Sequence, residues 1–351
     1  MAQDNFEAVA AKAGGAVASF ETKTLTFGER LQRFLHNYPT AAPAFVLLMA
    51  VLVFYSIIGG KFLDPFNLSL VLQQVTIIGM IGVAQTLVIL TAGIDLSVGA
   101  IMVLCSVIMG RTAIDMGLPA GIALMLGLLA GAVCGAINGF LITRLRLPPF
   151  ITTLGTWSIF FALNLWYSES ETIRSQDIAQ QAPLLQFMGI SFDLWGARFT
   201  TGTLTLLALF AAMWYALNHT PWGRHVYATG DDPQAAQLAG IDTNKVLMSV
   251  YIVAGVICAL AAWTLIGRIG SVSPQAGQSA NLDSITAVVI GGTSLSGGRG
   301  SVLGTVLGAI IIGVLNNGLV LLNVSPFWQQ VVKGFVILIA VIIDKANSKN
   351  E

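Results

Sequence analysis

Ten stretches of this chain are each apolar for about the length of a membrane crossing, and that repetition limits what it can fold into. They fall near residues 42–60, 68–91, 96–113, 118–142, 150–167, 200–217, 246–267, 281–293, 301–323 and 327–344. A helix of about 20 apolar residues crosses roughly 30 Å of hydrocarbon. Lipid offers no water to an unpaired peptide group, so helices, which close their bonds within one segment, are what such stretches form. The expected fold class is therefore all-α: a polytopic transmembrane bundle of about ten spans, occupying residues 42–344. The eighth stretch is short and ends in glycines. It reads either as a full span or as a half-helix or re-entrant element enclosed by protein or water. Only 10% of residues are charged, against about a quarter in a soluble domain. The formal net charge of zero leaves no electrostatic case for nucleic acid.

Basic residues orient the stack. If the spans alternate, Arg30, Arg33, Arg144, Arg146, Arg224, Lys245, Arg299, Lys345 and Lys349 fall on one side. Lys61, Arg111, Arg174, Arg198 and Arg268 fall on the other, over longer loops. Positive-inside bias then puts both termini in the cytoplasm. Trp166, Trp195 and Trp328 sit near outer boundaries, and Trp214 and Trp222 near an inner one, as aromatic belts do. The longest outer loop, about 168–199, carries Glu169, Glu171, Asp177 and Asp193. Residues 1–26 are polar and Ala/Gly-rich, without the apolar core of a secretory signal, and are expected to form a disordered cytoplasmic tail. Thr26-Phe-Gly-Glu29 reads as a capping box, followed by Leu31, Phe34, Leu35 and Tyr38 on one helical face. Residues 27–41 thus read as an amphipathic helix on the inner membrane surface, or equally as the lead-in to the first span. Residues 345–351 form a short cytoplasmic tail. Cys105, Cys134 and Cys258 lie inside apolar runs with no metal-like spacing and read as small buried hydrophobes.

Gly127, Gly131, Gly135 and Gly139 recur every fourth residue, as do Gly300, Gly304 and Gly308. That spacing lets helix backbones approach closely and reports packing rather than substrate. Polar side chains inside spans say more: Gln73, Gln74, Gln85, Asn138, Asn164, Asn316, Asn317, Gln329, Gln330 and Lys333 interrupt apolar runs. Amides both donate and accept, which matches sugar hydroxyls, though any one of them serves as well to hold two helices together. As a set they favour a polar path for an uncharged, hydroxyl-rich solute. Gln85, Asp95, Ser97, Asn138, Asn316 and Asn317 are the candidates to line it. Lys333 is left without a role.

Two Gly/Ser interruptions stand out. Leu90-Thr-Ala-Gly-Ile-Asp-Leu-Ser-Val-Gly-Ala100 joins the second and third spans, and Asp95 suits the cap of a helix beginning near Leu96 or Ser97. Gly291-Gly-Thr-Ser-Leu-Ser-Gly-Gly-Arg-Gly-Ser301 joins the eighth and ninth. Both hold a Leu-Ser-x-Gly core. They read as matching breaks in an internal repeat, which point to a translocation path, or as two ordinary inner turns. Neither is a phosphate loop, because no Gly-Lys-Ser/Thr follows, and no other stretch supplies one. No ATP hydrolysis is therefore expected on this chain. The inner loop 218–245 contains Asp232 as an N-cap, Pro233 at the first helical position and Gly240 at the C-terminal cap. A helix of about two turns is predicted over 233–239. It reads as a knob for a partner's groove or as an ordinary capped loop helix.

Three motifs in order carry a resemblance: Gly82-Val-Ala-Gln-Thr-Leu-Val-Ile-Leu-Thr-Ala-Gly-Ile-Asp-Leu-Ser-Val-Gly99, the loop from Gly223-Arg224 to Gly240-Ile241, and Val289-Ile-Gly-Gly-Thr-Ser-Leu-Ser-Gly-Gly-Arg-Gly-Ser301. Over roughly residues 43–344 the chain resembles the permease subunits of ribose-, xylose- and fructose-type ABC importers, and among these it looks most like a fructose permease. The resemblance implies a homodimeric pore in the bacterial inner membrane, a cytoplasmic ATPase that binds the ATP and magnesium, and a periplasmic sugar-binding protein. It carries no cofactor or catalytic residue onto this chain. It assigns ATPase coupling to the loop holding Gly223, Arg224, Gly230, Asp232, Pro233, Ala235, Ala236 and Gly240. Asp231-Asp232 departs from the Gly-Asn or Asp-Asn of many relatives. Two rival readings are a permease for branched-chain amino acids and an ion-coupled secondary transporter. The latter needs buried titratable groups, for which this layout offers only Asp95 and Lys333. A membrane enzyme is disfavoured, because no nucleophile–base set or metal cluster appears.

Overall fold

The computed structural model describes residues 40–194, 196–277 and 279–348. Of the segment expected as a surface helix, 27–39 lie outside the described residues, as do the tail 1–26 and residues 349–351. The described residues are mostly helical: α1 (Ala41–Ile58), α2 (Pro65–Leu90), α3 (Val98–Ile114), α4 (Ala120–Thr143), α5 (Pro149–Ser168) and α6 (Ser175–Gln181) precede a hairpin of β1 (Ser191–Leu194) and β2 (Ala197–Thr200). Then follow α7 (Thr201–His219), α8 (Pro221–Asp231), α9 (Pro233–Leu238), α10 (Thr243–Ile269), α11 (Ala280–Ile290), α12 (Val302–Leu321) and α13 (Pro326–Ser348). Among the described residues, six helices are long and apolar enough to cross a membrane: Ala41–Lys61, α2, α4, α7, α10 and α12. α3, α11 and Pro326–Ile339 of α13 are shorter apolar helices. α5 has 20 residues, about 30 Å at the helical rise of roughly 1.5 Å per residue. Its apolar run is broken by buried Thr152, Thr153, Thr156 and Asn164.

α10 forms the axis of the bundle and packs on α2, α3 and α4, with Tyr251, Cys258, Ala259 and Ala262 buried along it. The α4–α10 seam is a backbone contact. A Cβ on Gly131 would overlap the Gly255 carbonyl oxygen, one on Gly255 would overlap that of Gly131, and one on Gly135 would overlap that of Tyr251. The four-residue glycine spacing therefore exists to let two helices touch main chain to main chain. Gly304 and Gly308 of α12 do the same against Gly291 and Ala287. At the periphery α1 turns Phe45, Leu52 and Ile57 outward, and α13 turns Phe327, Phe335 and Ile342 outward. Such faces suit lipid tails.

One feature was not foreseen. The outer loop is built rather than irregular. It contains α6, a 3-10 turn (Pro183–Gly189) and the hairpin, whose Phe192 and Phe199 rings stack at 6.0 Å and whose turn uses Gly196 at φ +79°. The eighth stretch, for which a full span and a half-helix or re-entrant element both stood open, is made in two pieces. After α10 ends at Ile269, residues 271–277 and 279 lie outside regular helix and run down the side of α3. Val272 lies beside Gly110, Gly277 beside Met102, and Asn281 Oδ1 accepts a bond from Gly99 N (2.6 Å). From Gly110 to Gly99 is eleven residues of α3, about 16 Å. α11 then adds its own 11 residues, about another 16 Å. The helical half thus begins deep within the bundle.

Candidate functional site

The two interruptions meet. Gly298 N donates to Leu90 O (3.0 Å). The third party is α8, an amphipathic helix that the sequence did not announce. Thr220 Oγ1 caps it by accepting from Gly223 N (3.2 Å), and Pro221 fills its first position. Val226, Thr229 and Gly230 face inward, while Arg224 and His225 are exposed. Gly230 fits where no side chain can. A Cβ there would overlap Leu90 O and lie 2.8 Å from Gly298 N. Tyr227 donates its hydroxyl to Gly300 O (2.9 Å), and partial burial raises its pKa. One helix on one rim of the bundle therefore holds both interruptions.

α9 follows directly. Asp232 Oδ1 accepts from Gln234 N (2.9 Å) and Ala235 N (3.0 Å), and Gly240 adopts φ +85° just past the end. Pro233 and Ala235 are exposed. Ala236 is turned inward at 4% exposure, and Gln237 Nε2 donates to Thr243 Oγ1 (2.8 Å). Leu238 projects with 91% of its surface exposed. Asp242 caps α10 through Lys245 N (3.1 Å), and the Lys245 ammonium at 3.0 Å holds its carboxyl below the usual range.

Inward from the junction lies a buried polar cluster that unites four of the six path candidates. Asp95 Oδ1 accepts from Ser97 N (2.7 Å) and Ser97 Oγ (2.6 Å), and Asn138 Nδ2 donates to Ser97 Oγ (2.8 Å). With its amide oriented to satisfy both partners, Gln85 donates to Asp95 O (3.0 Å) and accepts from Asp95 N (3.2 Å). Gln85, Asp95, Ser97 and Asn138 are each at most 1% exposed. Asn138 Oδ1 and the nearby Tyr251 hydroxyl are buried with no hydrogen-bond partner among the described residues. An unpaired buried polar atom costs about 1–3 kcal/mol.

The other two candidates sit elsewhere, on α12. Asn317 and Asn67 exchange reciprocal amide bonds (2.8 and 3.0 Å), clasping α12 to α2. Asn316 is half-buried, with its Oδ1 unpaired among the described residues. Lys333 acquires a partner that the sequence reading passed over. Its Nζ lies 3.2 Å from Asp283 Oδ1, and Ser279 Oγ donates to Asp283 Oδ2 (3.1 Å). The side chains are 16% and 11% exposed, so α13 is pinned to α11 by a largely buried ion pair. The available signal was Lys333 alone in an apolar segment, because a buried charge needs a partner. Among the described residues no group of three or more His, Cys, Asp or Glu can hold a metal.

A helical bundle with a polar interior, glycine seams and a capped helix pair on one rim defines a multi-pass membrane permease. The family model described as "branched-chain amino acid transport system / permease component" matches residues 67–341, and the chain belongs to that family. It is 54% identical over 340 residues to the fructose import permease protein of Rhizobium meliloti, covering 97% of this chain and 94% of the relative. The ribose import permease protein of Bacillus subtilis is 43% identical over 308 residues (87% and 92%). The autoinducer 2 import system permease protein of Photorhabdus laumondii is 34% identical over 301 residues (86% and 88%). No solved structure matches the chain.

Proposed function

We propose that this chain is the membrane-spanning permease subunit of an ATP-binding-cassette importer that moves a monosaccharide, of the fructose type, across the bacterial inner membrane. The observation that carries the reading is the 54% identity, over nearly the whole of both chains, to a fructose import permease. The interior supports it: its polar groups are amides and hydroxyls, and its charged groups, Asp95 and the Asp283–Lys333 pair, are already engaged. A zwitterionic amino acid would want free charges, so the branched-chain alternative is less well supported. The subunit works as a homodimer embedded in lipid, with both termini cytoplasmic. A periplasmic sugar-binding protein delivers the solute, and a cytoplasmic ATPase holds ATP and magnesium.

In this mechanism the loop 218–245, now α8 and α9, receives the ATPase. Leu238 enters a groove on the partner. A push on α9 passes through Asp232 to Gly230 and Tyr227, and thence to residues 90–95 and 297–300 together. The Asp95 cluster rides on the first of these segments, so Gln85, Ser97 and Asn138 shift with the junction. A bound partner moves this equilibrium only as far as it prefers one state over the other.

The test is reconstitution in vesicles with the ATPase and binding protein. ATP-dependent uptake of labelled fructose, competed by sugars and not by leucine, is expected. Uptake without the ATPase, or competition by leucine alone, refutes the reading. Leu238→Asp should weaken ATPase docking at least tenfold in a pull-down titration while leaving thermal stability unchanged. Unaltered docking removes α9 from the coupling role.

A further inference from the structure

We propose that the turn between α4 and α5 binds the headgroup phosphate of an anionic phospholipid in the cytoplasmic leaflet, and that the acyl chain lies along the outer flank of α4. The importer reading enters only in naming the leaflet. Arg144 and Arg146 are both exposed in this turn, and neither guanidinium has a hydrogen bond or ion pair among the described residues. Arg146 adopts φ +56°, a left-handed conformation in which glycine is the unstrained residue. The turn thus carries a second guanidinium where the backbone alone would favour glycine. Leu145, Leu147 and Ile151, close by in the chain, are exposed as well. Charge and apolar surface mixed in this way suit the boundary between headgroups and acyl chains.

The flank leading to the turn is continuous. Leu129, Val133, Ile137 and Phe140 are exposed and recur every three or four residues, so they share one face of α4. Arg144 extends the same row by one more turn of the chain. The opposite face is the glycine seam against α10. Leu129 to Phe140 spans about 16 Å at the helical rise of roughly 1.5 Å per residue. That is about half of the roughly 30 Å hydrocarbon core, the depth of one leaflet. An apolar row with free guanidiniums at its inner end matches one acyl chain and its phosphate. A guanidinium can pair with a phosphate through two parallel hydrogen bonds, and basic groups beside membrane helices on the cytoplasmic side attract anionic headgroups. A second copy suits the row poorly. A two-fold axis along the membrane normal sets both α4 helices at one height, so Arg144 and Arg146 would face their own counterparts with no anion between them.

The experiment uses the complete importer in phosphatidylcholine vesicles holding a trace of photoactivatable phosphatidylglycerol or of the matching phosphatidylcholine probe. Labelled peptides are mapped by mass spectrometry. Peptides from 129–151 should take about tenfold more of the anionic probe than of the zwitterionic one. The double variant Arg144→Gln with Arg146→Gln should lose about tenfold of that labelling. Arg146→Gly separates binding from folding. Relief of the left-handed residue should keep or raise the unfolding temperature, while anionic labelling falls about threefold. Equal labelling by the two probes, or unchanged labelling in the glutamine double variant, overturns the site. Labelling abolished by excess inorganic phosphate shows a free-anion site and overturns the lipid. Cys105, Cys134 and Cys258 are buried, so an oxidised dimer of Ile137→Cys would place a second copy on the row, and that too overturns the lipid. Labelling needs neither sugar nor ATP. Its failure therefore leaves the importer reading standing, and an importer that moves no sugar leaves the lipid site standing.

Discussion

Replacing Gly230 with alanine is the most informative single change, because one methyl group meets two pieces of main chain at once. The added carbon overlaps the Leu90 carbonyl oxygen and lies 2.8 Å from Gly298 N. No flexible side chain is available to move aside, so either α8 or the two interruptions must shift. Overpacking of this kind costs about 1–3 kcal/mol. The shift also parts Gly298 N from Leu90 O, now 3.0 Å apart, a bond worth about 0.5–1.5 kcal/mol. The expected loss is thus about 1.5–4.5 kcal/mol, concentrated where α8 transmits motion. Two measurements read it: thermal unfolding of the purified permease, and sugar moved per ATP hydrolysed in vesicles. Gly230→Ala should lower the first and reduce the second more than it reduces ATPase binding. A variant with wild-type unfolding and wild-type stoichiometry would show that α8 is not clamped to the interruptions, and the transmission argument would fall with it.

Gly334 has no heavy atom within 4 Å of where a Cβ would stand. Gly334→Ala should therefore be neutral, or stabilise α13 by up to about 1 kcal/mol through helix propensity, as read by the same unfolding assay. The Asp283–Lys333 pair calls for a double-mutant cycle. Lys333→Met alone strands a largely buried carboxylate and should cost about 3–5 kcal/mol. Adding Asp283→Asn should recover much of that, and additive losses would mean the two groups do not interact.

Much of the helical architecture could be read from hydrophobic length alone, because lipid leaves a long apolar run so few alternatives. The observed helices α1 and α2 begin and end within a few residues of the expected stretches. α9 forms where Asp232-Pro233 and Gly240 bracket it, since a cap is a local chemical event. What was not legible depends on depth and partnership. The stretch 281–293 shows its shortness in sequence, but only its contacts with α3 reveal that the chain descends irregularly beforehand. α8 was hidden because its buried face is made of Val226, Thr229 and Gly230, of which only one is strongly apolar. Asp283 reads as part of a polar lead-in, Ser279 to Ser284, until Lys333 is seen beside it. Gln85, Asp95, Ser97 and Asn138 stood out as polar interruptions. That they bond to one another, while Asn317 bonds to Asn67 instead, needed coordinates.

The glycine seam between α4 and α10 has a consequence for how the protein is made. Gly131 leaves the ribosome more than a hundred residues ahead of Gly255, a delay of roughly 6–25 s at about 5–20 residues per second. Throughout that interval α4 sits in the bilayer with a bare, notched flank and no neighbour shaped to fill it. A newborn chain halted before residue 255 would hold an unfinished groove open to any other small-residue helix nearby, so the second half of synthesis is also the proofreading of the first.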